Sequence, residues 1–468
     1  MVSAVFHVFR GSMRFSTSAV GDPGGKYGLF FFPDEVQPPL LYQTKNPYLN
    51  FFGSTLKNVS TVMGSQDALV WWMELPPKGT VEYYSVVDYI LFRFDQIPLD
   101  GYLPAVQMND PLNQLVLKVL PNSNDSRSMI VCTASKKTWA FVQKTLCSEH
   151  DSDFLYTNCT DSINLLPITP DARLEKNTTS WIRSGSDLLS WHFRVNGVLP
   201  NLSSDATSAL TRYFEKPQPF FLLRPRFHDD DPSQDRLPAL PRRMRLVQHR
   251  QNDSQQRRLE EKVRQWLFTS FPGITSIIND TVHHVVPDLQ KCLNDKDYMP
   301  VFLPLAPLNF SGVPGCDYFV RDALYSLTPS SATSESTLKA LLWDDPQKVY
   351  AVIGLNQQEL GECVFSNLLV TGSGSPEALR HTFNMSAYDL SGSAAKLFGE
   401  EFMDWYVHVW SRNCGSISFT LCTEVKEEEI SSKEYLFIAE RKYLNIHTAI
   451  GPSPLHLLPP TLWIGGHN

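Results

Sequence analysis

The amino-acid sequence predicts an α+β protein that is predominantly β, with two sandwich-like lobes and a few packed helices. Short runs of aromatic and β-branched residues recur between residues 28 and 223, bounded by Pro, Gly, Asn and Asp, which is typical of strands joined by turns. Helical spacing of apolar residues occurs in only a few segments. With 42% hydrophobic and 12% aromatic residues, the chain can fill large cores, which excludes general disorder.

The N-terminal β-rich lobe is predicted over residues 22–227. Its strands include GLFFF, ALVWWMEL, VEYYSVVDYILFRF, NQLVLKVL and SMIVCTA. One helix is predicted in KKTWAFVQKTLC, with an apolar stripe of Trp139, Phe141, Val142 and Leu146. The aromatic residues of the strands are expected to pack in the core, with an apolar ligand pocket as the alternative; they are Trp71, Trp72, Tyr83, Tyr84, Tyr89, Phe92 and Phe94.

Residues 228–252 are predicted to form an exposed linker between the lobes. This stretch carries acids first and bases afterwards, three prolines and few apolar residues. Its basic residues Arg242, Arg243 and Arg245 are interpreted as a solvated surface, and the alternative is a dibasic processing site. Residues 253–468 then form the C-terminal α+β lobe.

The C-terminal lobe is predicted to open with a helix, because Leu259, Val263, Trp266 and Leu267 follow helical spacing. VYAVIGLNQQELGECVFSNLLV predicts two strands about a turn. GSAAKLFGEEFMDWYVHVWSRNC predicts a second helix with an aromatic stripe. The tail IGPSPLHLLPPTLWIGG is rich in proline and is expected to lie extended on the surface.

The net charge of −8 argues against nucleic acid as the main partner. No stretch reaches the eighteen or so apolar residues of a membrane-spanning helix, so no integral membrane segment is expected. If the aromatic residues line a pocket instead of the core, its partner would be a small apolar molecule. The sequence leaves the oligomeric state open.

Nine Asn-X-Ser/Thr triplets favour passage through the secretory lumen, where asparagine is glycosylated. With 22 asparagines in the chain, chance would give only about three or four such triplets. Local richness in Ser and Thr is the alternative explanation. The predicted acceptors are Asn58, Asn124, Asn158, Asn177, Asn201, Asn252, Asn279, Asn309 and Asn384.

Eight cysteines fit the same oxidising compartment, and none forms a C-x-x-C motif of a zinc or thioredoxin-like site. The pairs closest in sequence are the candidate disulfides, while buried free thiols are the alternative. These pairs are Cys147 with Cys159, Cys292 with Cys316, and Cys414 with Cys422.

The N-terminus differs from a typical secretory signal. Its apolar run, residues 2–9, is short and is interrupted by His7. Arg10 and Arg14 follow, and no acidic residue occurs before Asp22, which is typical of a mitochondrial presequence. The sequons and cysteines favour a secreted or endomembrane-lumen protein, with mitochondrial localisation as the alternative.

The common motifs of catalysis and cofactor binding are missing from the sequence. There is no G-x-S-x-G nucleophile elbow, no phosphate-binding G-x-x-x-x-G-K-S/T loop, no G-x-G-x-x-G and no H-E-x-x-H. The missing motifs argue against the familiar hydrolases and dinucleotide-dependent enzymes. We expect no cofactor.

Glu401, Asp404 and His408 are the candidate catalytic residues, followed by Arg412 at the same spacing. Intervals of three or four residues place side chains on one face of the predicted helix. A carboxylate beside an imidazole orients a general base and raises its pKa. The alternative is a solvated face of alternating charges.

Two further polar clusters contain residue types that bind metal ions. His228 and the acids 229–231 supply oxygen ligands, but without the alternating spacing of a calcium loop. His283 and His284 are adjacent, so in a strand they point to opposite faces. We therefore expect a solvated linker at residues 228–231 and no metal at either cluster.

Several segments together resemble an uncharacterised family of secreted, β-rich proteins. They are LPPKGTVEYYSVVDYILFRF, AVQMNDPLNQLVLKV, MIVCTASKKTWAFV, VYAVIGLNQQELGECVFSNL and LFIAERKYLNIHTAIGPSPLHLLPP. They match a Tyr-Phe-Ser segment, a Gly-Asp-x-Leu-Asn turn, a Thr-Ala-Asp/Ser-Arg/Lys segment, a Gly-x-Asn-His-x-x-x-Gly strand pair and a closing Glu-Arg-x-Tyr-Leu segment. Gln357 stands where the family pattern has histidine.

The resemblance implies a secreted β-rich fold and an auxiliary role in the biosynthesis of a secondary metabolite; no activity is established for the family. The first functional hypothesis is therefore a protein that binds or converts a small apolar substrate, with His408 and Asp404 assisting proton transfer. The alternative is a non-catalytic secreted glycoprotein that binds a ligand or a surface. Whether the protein is an enzyme is left open.

Overall fold

The computed structural model describes two compact units, one of residues up to Arg243 and one from Met244 onward. Strands exceed helices in both, which confirms the predominantly β, α+β class. The described residues are 4–16, 25–36, 59–94, 101–102, 106–120, 126–147, 160–168, 187–227, 235, 237–238, 243–245, 254–281, 283–285, 321–328, 341–372, 382–418, 420–434 and 436–466.

The strands of the N-terminal unit belong to a single sheet. They are β1 (Ala4–Ser16), β2 (Lys26–Phe31), β3 (Thr61–Val62), β4 (Ala68–Glu74), β5 (Val81–Phe94), β6 (Gly101–Tyr102), β7 (Val106–Gln107), β8 (Leu112–Asn113), β9 (Arg127–Thr133), β10 (Ile163–Pro167), β11 (Asp187–Val198) and β12 (Gln218–Phe227). Their order is β10-β9-β4-β12-β1-β2-β11-β5-β6, with β3 paired to β11 and both β7 and β8 paired to β5. The N-terminal residues that resemble a targeting sequence thus include β1, which pairs with β12 and β2.

One amide brings the two ends of this sheet together. Nδ2 of Asn109 donates to Oδ2 of Asp88 in β5 at 2.7 Å and to the carbonyl of Pro167 in β10 at 2.6 Å. The strands β5 and β10 are seven steps apart in the sheet order, or about 34 Å in a flat sheet. The sheet therefore curls strongly.

The interior of the curled sheet is aromatic. Phe30, Trp71, Phe193 and Phe220 come from four different strands, and their ring centroids lie 4.6 to 5.7 Å from at least one neighbour. The opposite face of β4, represented by Val70, packs on a second core under the first helix. Burial on both faces explains why β4 is a nearly continuous apolar run.

The described part of this unit contains the helices α1 (Lys136–Leu146) and α2 (Ser204–Glu215), and only α1 was predicted. Ser135 caps α1 by accepting a hydrogen bond from the Thr138 amide at 2.9 Å. Val142 of the predicted stripe is buried, whereas Phe141 is exposed.

Six residues of the predicted linker 228–252 are described. Asp235 and Leu237 are buried, and the Asp235 carboxylate accepts from the Ser135 hydroxyl and the Lys137 amide. This part of the segment is therefore packed on α1 and is not an exposed connection. Arg243 forms an ion pair with the largely buried Asp110, whereas the sequence predicted a solvated basic surface at this residue.

The described strands of the C-terminal unit form two five-stranded sheets. The inner sheet has the order β13-β22-β16-β19-β20 and the outer sheet the order β14-β15-β21-β17-β18. The strands are β13 (Ser276–Thr281), β14 (His283–Val285), β15 (Ala323–Thr328), β16 (Val349–Leu355), β17 (Phe365–Gly372), β18 (Phe383–Ser386), β19 (Trp405–Ser411), β20 (Cys422–Glu424), β21 (Leu436–Tyr443) and β22 (Thr461–Gly466). The helices among the described residues are α3 (Ser254–Ser270), α4 (Ala387–Leu390) and α5 (Ser393–Phe398).

The inner sheet is the middle layer of this unit. Val407 and Val409 of β19 pack in one core with Leu259 and Val263 of α3, as the helical spacing predicted. The alternate β19 residues, such as Trp410, pack in a second core with residues of the outer sheet. Both faces of β19 are therefore enclosed.

Two sequence predictions are wrong in this unit. The predicted helix 392–414 contains α5, a 3-10 turn at Glu400–Phe402 and then strand β19. Gly399 has a φ of 108°, which ends α5. The proline-rich tail, predicted to lie on the surface, ends in β22, all of whose residues are buried between β13 and β16.

The structure describes five of the eight cysteines. Cys414 and Cys422 form a disulfide, as predicted. Cys147 is also disulfide-bonded, to a partner outside the described residues. Cys132 and Cys363 are buried free thiols. The predicted cysteines Cys159, Cys292 and Cys316 lie outside the described residues.

Candidate functional site

The predicted catalytic residues do not share a helix face. Glu401 lies in the 3-10 turn with its side chain 52% exposed, and Asp404 is exposed in the turn before β19. His408 is inside β19 and is fully buried. The helical arrangement proposed for Glu401, Asp404, His408 and Arg412 is therefore wrong, because residues 405–411 are extended and alternate between two cores.

His408 is a structural residue of the core. Its Nε2 lies 2.9 Å from the Thr423 hydroxyl, and its ring packs edge-on against Trp410 at 5.1 Å. Burial lowers the pKa of His408 to about 4, and the Thr420 backbone and the charge of Asp389 oppose this only in part. A neutral, enclosed imidazole lacks the solvent exposure that a general base needs to reach a substrate.

The two metal candidates weighed from the sequence fall on residues whose side chains the structure does not describe. His228 and the acids 229–231 lie outside the described residues, as do the side chains of His283 and His284, whose backbone forms β14. Among the described residues, no three His, Cys, Asp or Glu side chains are placed to hold a metal ion.

The aromatic run of the N-terminal unit is largely core. Trp71, Tyr83 and Tyr89 are fully buried, and Trp72 and Tyr84 are half-buried. The side chains of Phe92 and Phe94 lie outside the described residues. Core packing thus accounts for the described members of this run.

A surface cleft of about 340 Å³ lies in the C-terminal unit, and we call it the Trp343 cleft. Three pieces of chain line it: the segment before β16, the residue after β19 and the loop after β20. Its volume falls in the range of small-molecule sites. The lining residues are Trp343, Asp344, Pro346, Arg412, Val425, Lys426, Glu427 and Ser432.

Arg412 orders one wall of the Trp343 cleft. Its guanidinium carbon lies 4.3 Å from the centroid of the Trp343 ring. The same group donates to the carbonyls of Val425 at 3.1 Å and Ile430 at 2.6 Å, and pairs with Glu427 at 2.9 Å. This planar cation thereby joins β19 to the loop after β20.

The electrostatics of this wall follow from partial burial. Burial lowers the pKa of Arg412, and the Glu427 carboxylate opposes the change. The pKa of Glu427 is lowered mainly by the backbone N–H of Ser432, which donates to Oε1 at 2.7 Å. A guanidinium remains charged in proteins, so the wall carries a satisfied ion pair.

The disulfide braces the same two strands. Cys414 follows Arg412 by two residues, and Cys422 precedes Val425 by three. Both sulfurs belong to the core on the α3 side of the inner sheet. The cross-link therefore holds β19 and β20 together immediately beside the cleft.

A second polar group is enclosed between the two C-terminal sheets. Lys442 and Glu440 form an ion pair on β21 with side chains only 1% and 5% exposed. Lys442 also donates to the Ser326 hydroxyl at 3.3 Å. Burial, with Glu440 as the second cause, raises the pKa of Tyr406 well above its usual value. Because both side chains are enclosed, neither presents its charge to the solvent.

The N-terminal unit encloses a comparable group. Arg194 donates to the Tyr89 hydroxyl, and its guanidinium lies 5.5 Å from the Tyr27 ring. Burial lowers the pKa of the neighbouring His192 to about 3, with a further contribution from the charge of Arg194. His192 is therefore neutral at physiological pH.

Two segments that carry the family resemblance meet in the C-terminal unit. The Val364 amide donates to the carbonyls of Tyr443 and Leu444, and the Phe365 ring stacks on Tyr443 at 5.6 Å. Gln357, which replaces the expected histidine, is only 1% exposed. These contacts give the two segments a packing role.

Of the residues that line the Trp343 cleft, only Arg412 was singled out from the sequence. The signal available was a single tryptophan followed by acids in LLWDDP. That pattern is also typical of an ordinary strand end. Only the approach of the loop after β20 defines the cleft.

Comparisons with known proteins leave the family open. No family model matches the chain, and no curated protein matches it. The structure of the Macrobrachium rosenbergii nodavirus is similar at a TM-score of 0.12 and 8% identity, covering 99% of each chain. A similarity this low supports no conclusion about fold or function.

Proposed function

We propose that this protein binds, rather than converts, a small and largely apolar molecule in the secretory pathway, and that the Trp343 cleft is the binding site. The observation that carries the proposal is the cleft of about 340 Å³, one wall of which Arg412 holds through hydrogen bonds to two backbone carbonyls. A wall held by the protein's own bonds lowers the entropic cost of binding.

The composition of the cleft supports an amphipathic ligand. Pro346 supplies exposed apolar surface, with the buried side chains of Trp343 and Val425 behind it, and Ser432 and Asp344 supply polar groups at the same opening. A few polar groups in an apolar surround are typical of small-molecule sites. Because Arg412 is already bonded to two carbonyls and Glu427, the ligand need not supply an anion.

Binding without chemistry is favoured by the state of the candidate base. His408 is neutral, fully buried and bonded to Thr423, so it is unsuited to shuttle protons to a ligand at the surface. The secretory setting rests on the nine sequons and on the disulfides. The auxiliary role in secondary-metabolite biosynthesis stays a prediction within this proposal: the protein would carry or protect an intermediate.

The test compares the wild-type protein with Ser432→Trp, which fills the cleft from a half-buried position. Ser208→Trp is the matched control, because Ser208 is exposed on α2 in the other unit. A panel of small aromatic and aliphatic amines, acids and neutral compounds is screened by thermal shift, and hits are titrated by calorimetry.

The expected result is a compound that stabilises the wild-type protein and S208W, and that loses at least tenfold in affinity for S432W. Equal affinity for all three proteins would place the site elsewhere. No stabilising compound in the panel would remove the support for a binding function at this cleft.

A further inference from the structure

Within the described part of the chain, strand β13 is an edge of the inner sheet. Among the described residues it pairs only with β22, through the register that sets Asn279 opposite Trp463. Ile277 packs against the core under α3, whereas Ile278 is 50% exposed. An edge strand with exposed backbone groups and an exposed apolar side chain is a template for pairing with another chain.

The opposite edge of the same sheet is protected differently. Strand β20 has only three residues, and Cys422 within it is tied to Cys414 by the disulfide. Very short edge strands leave little to pair with. Strand β13 is twice as long and contains neither Lys nor Pro, two residues that commonly blunt an edge.

A sequon lies in the middle of β13. Asn279 is exposed and begins the triplet Asn279-Asp280-Thr281. An N-linked glycan is bulky and strongly hydrated. A sugar at this position would exclude a second strand from the edge.

The other two described sequons differ in their surroundings. Asn201 is exposed in a turn before α2, away from any strand edge. Asn384 is half-buried, and its Oδ1 accepts a hydrogen bond from the buried Asn367 at 2.6 Å. The hydroxyl of Ser386, the third residue of that triplet, caps α4 and bonds to Asp389. The six remaining sequons lie outside the described residues.

We infer that Asn279 carries an N-linked glycan that covers the β13 edge and keeps copies of this chain from associating through it, an inference that rests on the secretory setting of the proposed function. Exposure selects Asn279 and Asn201 as occupied acceptors, and the bonds of Asn384 and Ser386 disfavour a sugar there. Of the two exposed positions, only Asn279 lies on a strand edge.

The first experiment measures occupancy. The full chain is secreted from a eukaryotic cell, and each sequon peptide is analysed by mass spectrometry before and after enzymatic removal of N-glycans. We expect occupied Asn279 and Asn201 and an unoccupied Asn384. An unoccupied Asn279 beside an occupied Asn201 overturns the inference alone, while a chain without any glycan also overturns the secretory setting.

The second experiment measures association by size-exclusion chromatography with light scattering. Thr281→Val removes the acceptor while keeping a β-branched strand residue, and Thr281→Ser keeps the acceptor as the matched control. Asn201→Gln controls for the loss of one glycan elsewhere. We expect T281V to elute at twice the monomer mass or more, and T281S and N201Q to match the wild-type protein.

A rescue variant separates edge pairing from general instability. Adding Ile278→Lys to T281V places a charge on the exposed edge, which should return the protein to the wild-type mass. If T281V keeps the wild-type mass, the glycan does not protect the edge. If T281V associates and the lysine fails to reverse it, association does not run through β13, and the inference is wrong.

Discussion

The hydroxyl of Tyr406 in β19 lies over Gly354 in β16, so closely that a Cβ at residue 354 would be 2.5 Å from the hydroxyl oxygen. Glycine is therefore required at this point for the ring to cross to the neighbouring strand. The contact also places the phenol near Glu440 between the two C-terminal sheets, where burial raises its pKa.

Gly354→Ala is expected to destabilise the protein by roughly 1 to 3 kcal/mol, because the added methyl group displaces the Tyr406 ring from a packed core. Urea unfolding measures the loss. Gly64→Ala is the control, since its Cβ would meet only an ordinary contact at 3.4 Å. In a Tyr406→Leu background, the loss of unfolding free energy caused by G354A should fall by at least half. If the losses of the two single variants simply add in the double variant, the ring is not the cause.

Arg412→Lys should cost about 1 to 2 kcal/mol, because lysine cannot stack on Trp343 while bonding to two carbonyls and Glu427. The free energy of unfolding in urea is the measurement. Arg127→Lys is the control, because Arg127 forms an exposed ion pair whose Nη2 lies 3.9 Å from Oε1 of Glu74. Its free energy of unfolding should hardly change. Equal effects of the two substitutions would contradict the role given to Arg412.

Removing the disulfide with Cys414→Ala and Cys422→Ala should lower the free energy of unfolding by about 2 to 3 kcal/mol, the value for closing a loop of this length. The ligand of the Trp343 cleft should bind more weakly to this variant, because β19 and β20 are no longer tied together. Cys363→Ala, at a buried free thiol, is the control for loss of sulfur packing. A double variant as stable as C363A would refute the bracing role.

Stability should depend on His408 below neutral pH. Its pKa is about 4 in the folded protein and about 6.5 when unfolded, so the unfolded chain takes up the proton first as the pH falls. The neutral form of His408 therefore stabilises the folded protein fully above pH 6.5, and this stabilisation is lost as the pH falls from 6.5 to 4. The loss amounts to about 2 kcal/mol between pH 7 and pH 5.

The measurement for this prediction is the stability gap between the wild-type protein and His408→Gln at the two pH values. The gap should narrow by about 2 kcal/mol from pH 7 to pH 5, because the variant lacks the titrating group. His447→Gln is the control at an exposed histidine. A gap for H408Q that is constant with pH would show that burial of His408 has no effect on its protonation.

Local sequence patterns predicted much of the secondary structure correctly. The spacing of Leu259, Val263 and Leu267 predicted α3, and all three are buried as that spacing requires. The strands β16 and β17 were predicted from one apolar run about a turn. The sequence could not show that they lie in different sheets, because strand pairing depends on contacts distant in the chain.

The predicted helix over β19 failed for a physical reason. A helical repeat is matched by Phe398, Phe402, Trp405 and Val409. In the structure, residues 405–411 are a strand whose side chains alternate between two cores. A strand buried on both faces is apolar throughout, so its sequence can also match a helix. The same ambiguity placed His408 on an exposed face, so the catalytic hypothesis depended on an element that does not exist.

By itself the sequence determined the β-rich class, the helix that opens the C-terminal unit and the Cys414–Cys422 pair, since each depends on residues close together in the chain. The tertiary structure alone decided that β22 enters the inner sheet, that the sheet ends meet at Asn109 and that Arg412 meets Trp343. These relations join residues far apart in sequence, and no local pattern encodes which distant surfaces fit together.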